Sequence, residues 1–216
     1  MKLSKPEILP QPESCEDIWA ILSEQPADDL LLMNLLLREV TLEGEKLCGI
    51  DVSATILESC KFLSCDLTKS SFVDVIFNHC DFSNSIITGG YFNRCEFNSC
   101  KFMGADLYES SLHHLSVSSC KLSYINLDHA AFDHVLINDS DLSGANMSEC
   151  RLKSFEAHSS RFAGVNFFRT PLSGQDFSDN DIDGILVSEN HSELQGMTVS
   201  PMQAMELAKL MGLRVK

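Results

Sequence analysis

The sequence predicts an all-β solenoid, a chain wound into stacked coils, from two periodic columns of residues and from regularly placed turn residues. A large apolar residue occurs at every fifth position from Leu47 to Val187, and Ala157 is the one exception among these 29 positions. A period of five matches neither a helix nor a strand. It indicates a chain that turns a corner every five residues and points one side chain inward each time. Such short units bury that side chain only by stacking on their neighbours.

A second column, of small residues, lies two positions before each large one. In 21 of the 29 units this residue is Ala, Cys, Ser, Thr, Val or Gly. The residue between the two columns is often Asp or Asn, whose side chain can hydrogen-bond the backbone of its own turn. Glycine often ends a unit, as at Gly104 and Gly144, because it accepts the backbone angles of a tight corner.

These units resemble the pentapeptide repeat family, whose consensus reads A-(D/N)-L-x-x. Ala105-Asp106-Leu107 and Ala145-Asn146-Met147 are two examples, and the matching units cover residues 47–190. The resemblance implies a right-handed quadrilateral β-helix with four walls, in which residues 20 positions apart stack on one another. Twenty-nine units then make a little over seven coils, or a rod of roughly 34 Å at about 4.8 Å per coil.

Residues 1–46 are predicted to form an N-terminal extension and cap. A short helix is expected around Glu16–Glu24. Its apolar side is expected to consist of Ile18, Trp19 and Leu22. Residues 27–46 leave two alternatives open, a first coil or a helix that leads into the solenoid. Either one covers an end that otherwise exposes apolar side chains and unpaired strand edges.

Residues 191–216 form the third predicted segment, which contains a helix that begins after Ser200. Pro201 suits the first helical position, and Gln203 completes a capping box with Ser200. This ending resembles the C-terminal module of the quinolone-resistance members of the family, and the resemblance implies an end-to-end homodimer. A simple end cap is the alternative. The side of the helix expected to form the dimer contact consists of Met202, Met205, Leu207, Leu210 and Met211.

The residue types that carry catalysis or bind metals lack the necessary spacing in this sequence. There is no glycine-rich phosphate loop, no nucleophile elbow and no Cys-x-x-Cys pair. We therefore expect no enzyme activity, no cofactor and no metal, and we expect the seven histidines on the surface. Seven of the nine cysteines fall in the small column, where a free thiol packs as a small apolar group. With no secretory signal in the sequence, we expect reduced thiols and a cytoplasmic location.

Ala157 is the one small residue in the large column, and Phe155 is the one aromatic residue in the small column. We interpret this pair as an exchange of volumes, in which the phenylalanine ring fills the space that the alanine leaves. Dense protein cores favour such compensation. The alternative is a pocket at Ala157.

The charge of the chain is strongly negative and unevenly distributed. The formal net charge is −15, which argues against direct binding of nucleic acid and is compatible with a basic protein partner. No run of 18 apolar residues is present, so no membrane span is expected. When units 20 residues apart are grouped, one predicted wall, from Leu57 to Phe177, carries six acids and no base, and the opposite wall has a charge of −4. The six acids of the candidate partner face are Glu58, Glu96, Asp139, Glu156, Asp176 and Asp179.

The resemblance to the quinolone-resistance members implies a non-enzymatic rod that mimics DNA, binds DNA gyrase or topoisomerase IV, and alters quinolone sensitivity. Two features of the sequence weaken that implication. The repeats run without the inserted loops that many of those members have, and six acids over roughly 34 Å are few beside the roughly 20 phosphate charges of duplex DNA over the same length. The alternative is a scaffold for an unrelated protein partner.

Overall fold

The computed structural model describes residues 1–15, 17–26, 29–210 and 212–214, and it shows a parallel β-solenoid of about seven turns. Each strand pairs in parallel with the strand one coil later, and the register advances by 20 residues, as in Phe72 with Phe92 and Phe92 with Leu112. The predicted fold class is therefore confirmed. Two consecutive walls of each coil form one eight-residue strand, and the other two walls pair mostly through isolated bridges.

The elements follow one another in a simple order. The strands are β1 (Glu13–Cys15), β2 (Leu31–Met33), β3 (Leu35–Arg38), β4 (Thr41–Glu43), β5 (Asp51–Glu58), β6 (Lys61–Leu63), β7 (Ser71–Asn78), β8 (Tyr91–Asn98), β9 (Ser111–Ser118), β10 (Ala131–Asn138) and β11 (Arg151–His158). The helices are α1 (Ile18–Leu22), a 3₁₀ turn (Ser192–Leu194) and α2 (Pro201–Leu210).

The corners recur every five residues, as the sequence predicts. The residue two positions after nearly every inward side chain has a positive φ, for example Asp74, His114 and Gly144. At Gly144 a Cβ atom would lie 2.7 Å from the ring of Tyr124, so the missing side chain matters there in addition to the φ of +68°. The acids between the two columns accept from their own turns, as Asp66 does from the N–H of Thr68 at 3.1 Å.

The core is a set of stacked side chains, one above another in successive coils. Phe82 stacks between Phe62 at 5.0 Å and Phe102 at 4.9 Å, measured between ring centroids. A second stack joins Phe77 and Phe97 at 4.6 Å. The prediction that residues 20 apart share a wall is therefore confirmed in the aromatic columns.

The cysteines of the small column are buried free thiols, as their packing role predicts. The thiol of Cys80 donates to the carbonyl oxygen of Leu57 at 3.4 Å, and that of Cys100 donates to Phe77 at the same distance. Burial raises the pKa of the Cys95 thiol to about 12, so this group stays protonated and packs as an apolar side chain.

The ring of Phe155 is buried at the place where the large column contains Ala157. Its centroid lies 5.7 Å from that of Phe132 and 6.4 Å from that of Phe177, which is the residue one coil after Ala157. The ring therefore extends towards the large column, where the small side chain of Ala157 leaves space. This geometry supports the exchange of volumes rather than a pocket.

At the N-terminal end, residues 31–43 form strands, which resolves the open alternative in favour of a first coil. β3 pairs with β5, and β1 adds to β3 on its outer edge. Helix α1 covers this end with Ile18 and Leu22, which are both buried. The prediction for Trp19 is wrong, because 44% of this residue is exposed. In a helix of only five residues, Ile18 and Leu22 are one turn apart on one side, and Trp19 points away from it.

At the C-terminal end, the register of the parallel pairing shifts before the ladder ends. Asp176 pairs with Thr198, a step of 22 residues. The two extra residues lie between Leu186, which still keeps the regular step, and Glu193, which does not. The predicted capping box is confirmed, with Ser200 N–H donating to Gln203 Oε1 at 2.7 Å and Gln203 N–H donating to Ser200 Oγ at 3.3 Å. The Gln203 amide also donates to the carbonyl oxygens of Phe177 at 2.8 Å and Asn180 at 2.6 Å. Helix α2 is thereby attached to the last coil.

Candidate protein-binding surface

The six acids of the predicted partner face follow one wall, which we call the acidic wall. It consists of residues 55–59 and the equivalent residues of each later coil up to 175–179. The strands β5 and β7 to β11 contribute their second halves to it, and their shared register stacks these halves directly. Glu96 lies two coils before Leu136, and Glu156 lies one coil after it. Both acids therefore occupy the same outward column of the wall.

Several of the six acids already have partners within the chain. Glu58 Oε2 accepts from Arg38 Nε at 2.7 Å. Asp179 lies 3.3 Å from Nδ1 of His158, and Glu156 lies 2.8 Å from the amino group of Met1. Arg38 belongs to the coil before the first predicted unit, which is why a count that starts at Leu47 finds no base on this wall. The acidic wall is therefore partly neutralised in two places, by Arg38 at Glu58 and by the amino group of Met1 at Glu156.

Three acids of the wall, Asp139, Asp176 and Asp179, are exposed, whereas Glu96 is half-buried. A hydrogen bond from Ser178 lowers the pKa of the Asp176 carboxyl, so this group stays charged at neutral pH. Asp139 and Asp179 are exposed, and they line an open groove of about 510 Å³ at the corner of the wall. Asp141 and Asp181 line the same groove with Lys121 and Arg161. Negative charge is thus most accessible in the C-terminal third of the rod.

The N-terminal residues 1–12, which we call the strap, lie along the rod instead of winding around it. The N–H of Ser4 donates to Nδ1 of His114 at 3.3 Å, and the N–H of Glu7 donates to Oδ1 of Asp74 at 2.9 Å. Burial, together with the nearby His134, lowers the pKa of His114, which keeps its Nδ1 available as an acceptor. No sequence pattern indicates this path, because the strap has no repeat and its contacts are distant in the chain.

The predicted dimer side of α2 is divided between two roles. Met202, Met205 and Leu210 are exposed, but Leu207 is partly buried against the core and so belongs to the cap. Met211 lies outside the described residues. Leu186 on the last coil and Leu213 after the helix are also exposed, and no pattern in the sequence singles them out. The helix therefore covers the end of the solenoid and still presents apolar side chains to solvent.

The surface histidines form contacts with one another and with acids. The ring of His134 stacks on His114 at 4.8 Å, and its Nδ1 lies 2.7 Å from Asp133. Among the described residues, no group of three or more His, Cys, Asp or Glu side chains is arranged to hold a metal ion. In the same part of the chain, no helix is long and apolar enough to cross a membrane.

These features define the class of the protein, a parallel β-solenoid repeat rod that offers extended surfaces to its surroundings. Residues 90–186 match the family model described as pentapeptide repeat region. This segment therefore matches the pentapeptide repeat family, and the resemblance found in the sequence is confirmed.

Several solved structures of pentapeptide repeat proteins are similar to this chain. A trypsin-treated variant of QnrB1, a plasmid-mediated fluoroquinolone resistance protein, is 19% identical, with a TM-score of 0.47, covering 87% of this chain and 98% of its own. HetL, a protein involved in heterocyst differentiation regulation from the cyanobacterium Nostoc, is 15% identical, with a TM-score of 0.30, covering 78% of this chain and 86% of its own. The comparison with curated protein sequences gives no match.

Proposed function

We propose that this chain acts in the cytoplasm as a non-enzymatic protein-binding rod, and that its acidic wall contacts a basic surface of a protein partner. The observation that carries this proposal is the alignment of six acids on one wall of a continuous hydrogen-bonded ladder. Fixed charges in a row steer a partner of opposite charge and favour one orientation of docking.

A basic groove that normally holds DNA is the specific surface we propose for the partner. The resemblance to the quinolone-resistance members makes DNA gyrase and topoisomerase IV the first candidates. The wall carries far fewer charges than the roughly 20 of duplex DNA over the same length. The rod is therefore a sparse mimic, and its accessible charge lies around Asp139 and Asp179.

The test compares two double variants that change the net charge equally. Asp139→Lys with Asp179→Lys reverses the exposed end of the acidic wall. Glu109→Lys with Glu149→Lys reverses two exposed acids of the opposite wall. The wild-type protein is expected to change gyrase supercoiling or its quinolone sensitivity at micromolar concentration. The first variant is expected to lose this effect by at least tenfold, and the second to retain it within about twofold.

Two outcomes separate the topoisomerase proposal from the alternative. If the wild-type protein leaves supercoiling and quinolone sensitivity unchanged at tens of micromolar, the topoisomerase is not the partner, and the chain is a scaffold for an unrelated protein. The low charge density of the wall favours this second reading. If both double variants lose the effect equally, the acidic wall is not the contact surface.

We also propose that the rod forms a homodimer through the exposed side chains of α2. Met202 is 69% exposed, and Met205 and Leu210 accompany it on the outer side of the helix. The double variant Met202→Glu with Leu210→Glu is expected to halve the mass measured by light scattering, because charges at an apolar contact oppose association. Leu207 is left intact so that the cap survives. A monomeric mass for the wild-type protein contradicts the proposal.

A further inference from the structure

The strap follows the rod at regular intervals. Ser4 meets His114 and Glu7 meets Asp74, and just after the strap the N–H of Glu13, the first residue of β1, donates to the carbonyl oxygen of Asn34 at 2.9 Å. The contacted residues 114, 74 and 34 are two coils apart at each step, or about 9.6 Å at the usual strand spacing. The three residue steps from Ser4 to Glu7 therefore cover about 3.2 Å each, close to the length per residue of a fully extended chain.

The contacts of the strap are made with side chains that other residues hold in place. Asp74, which accepts from Glu7, receives two hydrogen bonds from Arg94, both at 2.6 Å. His114, which accepts from Ser4, is stacked on His134. The docking positions are therefore held by residues of the solenoid corner and not by residues of the strap.

The strap covers the outward column of the acidic wall with matching chemistry. This column combines acids with apolar residues, and five of its members in successive coils are half-buried: Ile76, Glu96, Ser116, Leu136 and Glu156. A cleft of about 190 Å³ has Leu3, Ser4 and Lys5 on one side and Cys95, Glu96 and Ser116 on the other. Leu3 and Lys5 thus share this cleft with Glu96, and the amino group of Met1 lies 2.8 Å from Glu156 in the same column.

We propose that residues 1–9 are a displaceable occupant of the acidic wall, and that the wall accepts an extended segment of a protein partner in which lysines alternate with aliphatic residues. The strap is the internal copy of that ligand. A partner must displace it, because a tethered segment competes at an effective concentration in the millimolar range. This inference rests on the proposed function in one respect, namely that a protein partner uses the acidic wall.

The first experiment measures the site without any partner. The probe is a fluorescein-labelled peptide with the sequence of residues 1–9, added to full-length protein. In the variant Leu3→Asp with Ile8→Asp, two half-buried strap residues become charged, and the strap is expected to leave the wall. This variant is expected to bind the peptide at least tenfold more tightly than the wild-type protein.

A matched control uses Leu9, which is 51% exposed in the strap. The variant Leu9→Asp is expected to bind the peptide like the wild-type protein. Hydrogen exchange gives a second readout, in which the amides of Ser4 and Glu7 are protected in the wild-type protein and unprotected in the Leu3→Asp, Ile8→Asp variant. Equal peptide affinity in all three proteins, or unprotected amides in the wild-type protein, overturns the proposal.

A second experiment separates this inference from the identity of the partner. If the topoisomerase proposal is correct, the Leu3→Asp, Ile8→Asp variant is expected to act on gyrase at a tenfold lower concentration than the wild-type protein. Tighter peptide binding without any effect on gyrase supports the proposal for the strap and excludes the topoisomerase as the partner. An effect on gyrase that is equal in the variant and the wild-type protein shows that the strap does not cover the contact surface.

Discussion

The exchange of volumes between Phe155 and Ala157 allows a quantitative test of how the core is packed. The change Phe155→Ala removes a ring that is 5% exposed and lies against Phe132 and Phe177. Such truncations lower the free energy of unfolding by about 3–5 kcal/mol. The change Ala157→Phe alone adds a ring to a space that Phe155 already fills, which costs about 1–3 kcal/mol or more.

The double variant Phe155→Ala with Ala157→Phe returns the large side chain to the large column. A ring at position 157 has Ile137 before it in the register and Phe177 one coil later, so it joins the ordinary stack. We therefore expect the double variant to lose less stability than the two single changes added together. The difference is expected to be at least about 1 kcal/mol, within the range known for residues in contact.

Equilibrium unfolding in guanidinium chloride, followed by far-UV circular dichroism, measures all three variants. Equal slopes of the free energy against denaturant concentration show that the unfolding transition is comparable among them. Phe168→Ala is the control, because Phe168 lies on the outer surface and is 39% exposed; it is expected to cost less than about 1 kcal/mol. If the two single effects add within about 0.5 kcal/mol, the ring of Phe155 does not occupy the space beside Ala157.

Three further changes test other parts of the rod. Leu112→Phe is expected to raise the free energy of unfolding by up to about 1 kcal/mol, because Leu112 lines a cavity of about 50 Å³ between phenylalanine rungs and residual cavities cost about 24 cal/mol per Å³; a lower melting temperature contradicts this. Glu193 is 2% exposed, and although burial raises its pKa, hydrogen bonds from Ser188 and the backbone leave that pKa below the usual value of 4.5. Its contribution to stability is therefore present above about pH 4.5 and lost as pH falls through the lower folded value. Glu193→Gln should flatten that part of the pH dependence of urea unfolding, and an unchanged pH profile contradicts the assignment. Gln203→Leu is expected to cost about 1–3 kcal/mol in the same unfolding assay, because it leaves two carbonyl oxygens of the last coil without their donor; Glu206→Ala on the exposed side of the helix is its control.

The parts of the fold that the sequence predicts are those in which local pattern and tertiary packing coincide. Phe62, Phe82 and Phe102 are predictable as a stack because the five-residue period points one side chain inward per unit and the family resemblance implies four units per coil. The capping box at Ser200 is predictable for the same reason, since its hydrogen bonds join residues three positions apart. The first coil is ambiguous in the sequence because residues 30–37 are apolar at every position but Asn34, which hides the period of five.

The parts that the sequence does not predict depend on distant contacts. Ser4 and His114 are 110 residues apart, and nothing in a proline-containing segment without repeats indicates which wall it will cover. Trp19 illustrates a related limit, because the side of a five-residue helix that faces the core depends on where the chain enters it. The partners of Glu58 and Asp179 likewise come from outside the units to which these acids belong.

The last coil has a property that bears on aggregation. In the wall that contains Asn180, the amide that follows each small-column residue donates one coil back, as Lys101 does to Cys80 and Asp181 does to Ser160, a step of 21 residues. With the two extra residues of the last coil, the next backbone donor to Asn180 would be residue 203, but residues 201–210 form helix α2 and have left the ladder. Because the Gln203 amide takes that carbonyl oxygen, a neighbouring molecule cannot use it to add another strand. The rod thus ends in a way that discourages the end-on growth of fibres, a hazard for any protein made of open parallel ladders.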